Sequence, residues 1–346
     1  MRLRENPYVY VRTRVMKTSL LRRSDYDKIL KMELGEISRF LEESIYKKEI
    51  DEFASKLSGV DLLESALDAN LQNSMAKLKR ISGEDLEKVI NLYLRRWDFE
   101  NIKTIIRGIV TNADPNVTKD FLVPIGDINE SKINELLNIK DVEELIKKSG
   151  LVAVSNAKEI IGIYNKKGTS FLENELDQIY YNEVLAFVEI LPKTGTLFRD
   201  FLNAEVEIKN LITLVRLVRN EVSKDIIHKS LIKVGDDPVL PNSKVFNSKD
   251  LDELFGNLKK TPYQKIAKES LQKFNETKSL IDFENDMKRH LLGKTTLLSH
   301  QYPLSIDVIL GFMFSKELEV ENLKTIIRGK QLGLEEDFIS SQLVVA

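Results

Sequence analysis

Asn101-Ile102-Lys103-Thr104-Ile105-Ile106-Arg107 recurs as Asn322-Leu323-Lys324-Thr325-Ile326-Ile327-Arg328, with a looser copy, Asn210-Leu211-Ile212-Thr213-Leu214-Val215-Arg216, between them. Glu100 and Glu321 precede the outer copies and Gly108 and Gly329 follow them, while an acid stands three residues before each Asn: Asp98, Glu207 and Glu319. Other elements keep the same period. Phe121–Asp127 matches Ser230–Asp236, and the stripe Ile37/Phe40/Leu41 has counterparts in Val142/Leu145/Ile146 and Leu251/Leu254/Phe255. Glu43–Tyr46 resembles Lys260–Tyr263, and the middle repeat lacks that Tyr. The repeat length, roughly 110 residues, is domain-sized and far longer than an ordinary solenoid repeat. It implies three tandem homologous helical subdomains, 1–115, 116–230 and 231–346, which could stack openly or close around a pseudo-threefold axis.

The repeats read as helices. Ile102, Ile105, Ile106 and Ile109 follow i, i+3, i+4, i+7, as do Leu211, Leu214, Val215 and Val218. This is the spacing of one buried helical stripe. Period-2 alternation is scarce, and its best candidates are Tyr8–Val11 and Phe121–Ile125. The fold class expected is all-α. Ser24-Asp25 opens a helix that runs to Met32, and Ser82-Gly83-Glu84-Asp85 opens another. That helical region ends near Gly108, before the turn cluster Thr111–Asn116; Val234–Ser243, with Gly235, Pro238 and Pro241, reads as an exposed loop.

Composition excludes several classes. The 346 residues include 52 Lys+Arg and 54 Asp+Glu, for a net charge of −2, and no Cys. Disulfides, thiol nucleophiles and thiolate metal sites are therefore absent. Near-neutral charge argues against a nucleic-acid binder. The apolar run Val308–Phe314 is too short to span a bilayer, and Met1–Arg23 lacks the apolar core of a secretory signal.

The chemistry-bearing patterns are weak. Leu292-Gly293-Lys294-Thr295-Thr296 resembles the end of a P-loop, but Lys288 stands where the first Gly belongs, so Gly293 reads as a helix C-cap. His228, His290 and His300 lack zinc spacing, and there is no Gly-x-Ser-x-Gly or Gly-x-Gly-x-x-Gly. No catalytic, cofactor or metal residues are assigned. The residues singled out are the repeated Asn101, Arg107, Asn210, Arg216, Asn322 and Arg328. The stripe marks a core helix in each subdomain, with the three Arg pairing with carboxylates or capping carbonyls where subdomains meet. The basic N-terminus (Arg2, Arg4, Arg12, Arg14, Lys17, Arg22 and Arg23, against Glu5) reads as a solvated face among buried Tyr8, Tyr10 and Val15, with contact to lipid headgroups, an acidic protein or nucleic acid as the alternatives. Trp97, equivalent to Val206 and Leu318, is expected in the core.

With the triplication, Asn6–Arg14, Met16-Lys17, Leu20-Leu21, Leu41–Tyr46, Asp98–Gly108 and Glu321–Gly329 make the whole chain resemble the C subunit of the archaeal-type (A/V-type) rotary ATPase, related to the d subunit of the eukaryotic vacuolar enzyme. The resemblance implies a funnel of three pseudo-symmetric subdomains, peripheral on the cytoplasmic face of the membrane. It implies a non-catalytic rotor subunit between the central-stalk subunits and the proteolipid ring, binding no nucleotide directly. By carrying rotation, it would couple ATP turnover in the head to proton or sodium transport at the ring. The rival readings are a free-standing helical-repeat scaffold for soluble protein partners and a helical enzyme with a site between subdomains.

Overall fold

The structure, a computed structural model, describes residues 7–189, 196–235, 237–277, 279–301 and 305–345, of which 154–155, 196–197, 295–301 and 307 are described by backbone alone. Arg2, Arg4, Glu5, Asn6 and Asp236 lie outside the described residues, as do the side chains of Thr295, Thr296 and His300. The helices before residue 120 are α1 (Pro7–Thr18), α2 (Arg23–Ile29), α3 (Leu34–Glu42), α4 (Lys47–Phe53), α5 (Gly59–Ile81), α6 (Glu84–Thr111) and α7 (Pro115–Lys119). Next come α8 (Glu130–Leu137), α9 (Val142–Ser149), α10 (Val154–Lys167), α11 (Thr169–Glu189), α12 (Thr196–Arg219) and α13 (Lys224–Ser230). A short antiparallel pair, β1 (Lys233–Val234) and β2 (Asp237–Pro238), precedes α14 (Ser243–Asn247), α15 (Leu251–Leu258), α16 (Gln264–Thr277), α17 (Ile281–Gln301), α18 (Ile306–Gln331) and α19 (Glu336–Gln342). The fold is all-α.

The described residues form two compact units. Counting described residues only, one takes in 82–189 and 223–239, and the other takes in 7–81, 196–222 and 240–345. In the first, α6 packs on α9 and α11; in the second, α12 packs on α15 and α17, and α18 on α3 and α5. The same helix–helix joint therefore occurs three times. Each time the long helix bearing the repeat packs on helices from a different third of the chain. Ile102, Ile105 and Ile106, Leu211, Leu214 and Val215, and Leu323, Ile326 and Ile327 are at most 2% exposed. Each such side chain contributes about 1.5–3 kcal/mol when fully buried.

The three long helices also end alike. Asn112, Glu221 and Gly333 adopt the left-handed conformation, at φ of 53°, 53° and 66°. The next residue's N–H then bonds back to the helix: Ala113 to Gly108 O (2.9 Å), Val222 to Leu217 O (3.1 Å) and Leu334 to Gly329 O (2.9 Å). This is the Schellman arrangement, which satisfies carbonyls the helix leaves open. Gly108 and Gly329 serve a second purpose, since a Cβ on either would stand 2.7 Å from Thr118 of α7 or Ile339 of α19.

Several sequence expectations are corrected. Tyr8–Val11 belongs to α1, where Thr13 bonds back to Val9 O, and not to a strand. Phe121–Ile125 is a non-helical connection without strand pairing, because its central backbone groups are taken by a side chain, Asn101. Gly293 lies inside α17, between the buried Leu291 and Leu292 and a segment that continues the helix. A single interior Gly costs a helix only about 1 kcal/mol, too little to end it here. The helix holding the first repeat continues past Gly108 to Thr111. Tyr8 and Val15 are exposed where burial was expected, and only Tyr10 is buried. Trp97 is half-buried. The Val234–Ser243 loop contributes residues to the β1–β2 pair, which turns through Gly235 at φ 67°.

Candidate functional site: the repeated helix and the groups it holds

Asn101 and Asn322 are structural clamps. Asn101 donates to Val123 O (2.9 Å) and accepts from Val123 N–H (3.0 Å). Asn322 does the same for Val344, at 2.9 and 2.8 Å. Each side-chain amide thus completes both backbone groups of a buried residue in the segment after the short helix, which no regular structure would satisfy. Asn210 is buried in the same way, in α12.

The three arginines each grip a glutamate on the facing helix with two nitrogens. Arg107 binds Glu173 of α11 at 2.8 and 2.6 Å, and Arg216 binds Glu284 of α17 at 2.7 and 2.5 Å. Arg328 binds Glu64 of α5 through Nε and, at 2.9 Å, through Nη2. The fork geometry suits a carboxylate and fixes the rotation of one helix against the other. The sequence leaves carboxylate pairing and carbonyl capping both open and does not identify the partners. The missed signal is a second periodic motif: Leu63-Glu64-Ser65-Ala66-Leu67-Asp68, Leu172-Glu173-Asn174-Glu175-Leu176-Asp177 and Phe283-Glu284-Asn285-Asp286-Met287-Lys288. Its second acid also pairs, Asp177 with Lys103 (2.8 Å) and Asp68 with Lys324 (2.7 Å). In the middle copy Ile212 replaces the lysine and Lys288 replaces the acid, and Lys288 turns to Glu321 of α18 instead.

The acid preceding each Asn has two kinds of partner. Glu207 accepts from Tyr263 Oη and Glu319 from Tyr46 Oη, both at 2.5 Å. Tyr46, Leu151 and Tyr263 occupy equivalent turns, in which Ser44, Ser149 and Thr261 each receive the N–H two residues on. Leucine stands where the middle repeat would need tyrosine. The corresponding acid is the shorter Asp98, which instead accepts from Asp127 N–H (2.8 Å) and Ile128 N–H (3.0 Å). Gly126 makes room, since a Cβ there would lie 2.3 Å from either Asp98 oxygen. Burial raises the carboxyl pKa of Asp98 and Glu207 and the phenol pKa of Tyr46 and Tyr263.

Glu319 heads a deeply buried polar group. It also accepts from Leu21 N–H (2.5 Å) and from Lys316 Nζ (2.9 Å), and Lys316 donates to Tyr46 Oη at 2.7 Å with its ammonium 4.1 Å from that ring's centroid. Burial lowers the Lys316 pKa, and Glu319 opposes the shift. Every group in this cluster bonds to another member or to backbone, an arrangement that locks elements together.

Among the described residues, no group of three or more His, Asp or Glu could hold a metal ion, and no helix is long and apolar enough to cross a membrane. The repeated residues thus define a helical-repeat protein whose distinctive groups bind its own helices together. The model of the ATP synthase (C/AC39) subunit family matches residues 9–342, and the chain belongs to that family, whose members are structural rather than catalytic subunits. It is similar to the C subunit of the A-type ATP synthase of Methanococcoides burtonii, 36% identical over 98% of this chain and 94% of that one. It is also similar to the C subunits of the A-type enzymes of Methanosarcina barkeri (34%; 98% and 92% covered) and Haloferax volcanii (29%; 98% of both).

Proposed function

We propose that this chain is the central-rotor subunit that links the central stalk of an A/V-type ATP synthase to its membrane proteolipid ring. It transmits rotation between ATP turnover in the head and proton or sodium transport, from a peripheral position on the cytoplasmic face. The pseudo-threefold funnel of 1–115, 116–230 and 231–346 belongs to the same proposal. The observation that carries it is the triplicate joint. A part that passes torque must resist sliding of one helix on another. At each joint a buried apolar stripe is combined with a forked Arg–Glu pair, and in two copies a second Lys–Asp pair stands one turn away. Family membership supplies the complex in which that stiffness is useful.

The test is deletion of the gene followed by purification of the rotary complex and measurement of ATP-driven ion pumping in membrane vesicles. The expected result is head and ring that no longer co-purify, with ATP hydrolysis detached from pumping. A fully assembled, pumping complex without this chain defeats the proposal.

A further inference from the structure

In the second compact unit, α1 buries Val9, Tyr10 and Thr13 while packing on α5 and α18. Its other side carries Tyr8, Val11 and Val15, 60, 55 and 53% exposed and spaced i, i+3, i+7. Such spacing is a helical stripe, and here it faces no part of the described chain that buries it. Ser19 continues the stripe and lines a cavity of about 640 Å³, walled by Met16, Leu20, Ile45 and Phe312. The apolar stripe therefore runs up to a cavity whose wall mixes these apolar side chains with polar and basic ones.

The charge around that surface is one-sided. α1 carries Arg12, Arg14 and Lys17 and no acid. The cavity adds Lys48, Lys77 and Arg80, which form no ion pair among the described residues. Its single carboxylate, Glu49, is already held by the amides of Asn70 (2.9 Å) and Asn73 (2.8 Å). Lys316, also on the wall, is turned to Tyr46 and Glu319. Burial lowers the Lys17 pKa, and the neighbouring Arg14 lowers it further. By contrast, the cross-helix cations Arg107, Lys324 and Arg328 each have an acid.

We propose that the α1 stripe and the adjoining cavity dock an acidic amphipathic helix of a partner protein. Apolar side chains of that helix cover Tyr8, Val11 and Val15, and one enters the cavity. Its flanking carboxylates face Lys48, Lys77 and Arg80. The concave cavity favours a protein side chain over a flat lipid surface. The proposal rests on the chain working inside a larger rotary assembly, and it adds the surface and the chemistry of its occupant.

The experiment places a photo-reactive benzoylphenylalanine at Val11 in the full chain, irradiates the purified rotary complex and identifies the attached peptide by mass spectrometry. A helical partner segment of net negative charge is expected. The double substitution Lys77→Glu with Arg80→Glu, on the rim and outside the packed core, should reduce that adduct about tenfold. Adducts to lipid alone, to a neutral or basic segment, or at undiminished yield in the charge-reversed variant overturn the proposal, as does no adduct when the chain is present in the complex. A chain that does not co-purify with the complex instead defeats the rotor assignment. The surface is then read on the isolated chain, by fluorescence anisotropy with a labelled synthetic Leu/Glu amphipathic peptide. Saturable binding weakened about tenfold by the same charge reversal supports docking, and no such binding overturns it.

Discussion

Asn101→Ala should be among the most damaging single changes in the first compact unit, and its cost can be worked from two hydrogen bonds. Asn101 is 2% exposed, and its amide serves both the N–H and the C=O of Val123, itself 7% exposed. Alanine removes both bonds; the buried Val123 N–H is left without a partner, at about 1–3 kcal/mol, while the C=O keeps the Ile125 N–H (2.9 Å) and loses only one bond, at about 0.5–1.5 kcal/mol. The expected loss is about 2–4 kcal/mol, toward the lower end if water enters the vacated space. Arg107→Ala breaks a two-nitrogen grip on Glu173, but the Arg107 side chain is 55% exposed. An exposed pair of this kind contributes only about 0.2–1 kcal/mol. Urea unfolding followed by far-UV circular dichroism gives both losses from the midpoint shift at a common slope. Hydrogen exchange at the Val123 amide reads the local part, which should be large for Asn101→Ala and small for Arg107→Ala. Asn322→Ala should expose the Val344 amide in the same way. If Asn101→Ala lost less than about 1 kcal/mol, or less than Arg107→Ala, the clamp would not be what holds the segment after α7.

Lys316→Met leaves the buried Glu319 carboxylate without its cation and should cost about 3–5 kcal/mol, with Glu319→Gln in the same chain recovering part of it; urea titration of single and double variants checks both. Glu221→Gly should raise stability by about 0.5–1 kcal/mol, because Glu221 holds a φ of 53° that glycine adopts freely at the equivalent Gly333; the thermal midpoint should rise. The His290 ring lies 5.1 Å from that of Tyr263, and its pKa is lowered by burial first and by Lys294 second. The unfolded chain therefore takes up its proton first as pH falls below about 6.5, and stability is lost down to the lowered folded value. His290→Phe should show a smaller loss than the parent between pH 7 and 5.5, measured by urea midpoints, and an equal loss would contradict the assignment.

The long helices were legible because their apolar residues repeat at the helical period over many turns, and the stripes at Ile102, Leu211 and Leu323 are indeed buried. The Asn and Arg positions were legible as a pattern but not as partners. Asn101 meets Val123 across 22 residues and Arg328 meets Glu64 across 264, and nothing local encodes such pairings. Comparing the spacing of Glu64, Glu173 and Glu284 with that of the arginines would have exposed the acids, since both sets recur at the same domain-length interval. The failures have local causes. Tyr8–Val11 has β-favouring residues, yet Val9, Tyr10 and Thr13 supply a helical contact face, and tertiary packing overrides propensity. Phe121–Ile125 has strand composition, but a side-chain clamp takes the place of a strand partner.

The structural joints do not coincide with the sequence copies, which bears on how the chain could carry torque. Arg107 of the first third binds Glu173 of the second, Arg216 of the second binds Glu284 of the third, and Arg328 of the third binds Glu64 of the first. No third of the chain contains both sides of its own Arg–Glu joint, so each copy is held partly by helices belonging to another. The chain passes between the two compact units near residues 82, 194, 223 and 240. The connection between them is therefore made by several crossings of the chain rather than by one linker. Where the middle repeat lost its tyrosine, Asp98 replaced the contact with two backbone N–H bonds, so the position kept a buried acid with two fixed partners although the chemistry of the partner changed. That substitution is intelligible if what each copy must retain is rigidity at the base of its long helix, and a repeated ligand site would have required the same side chains in all three copies.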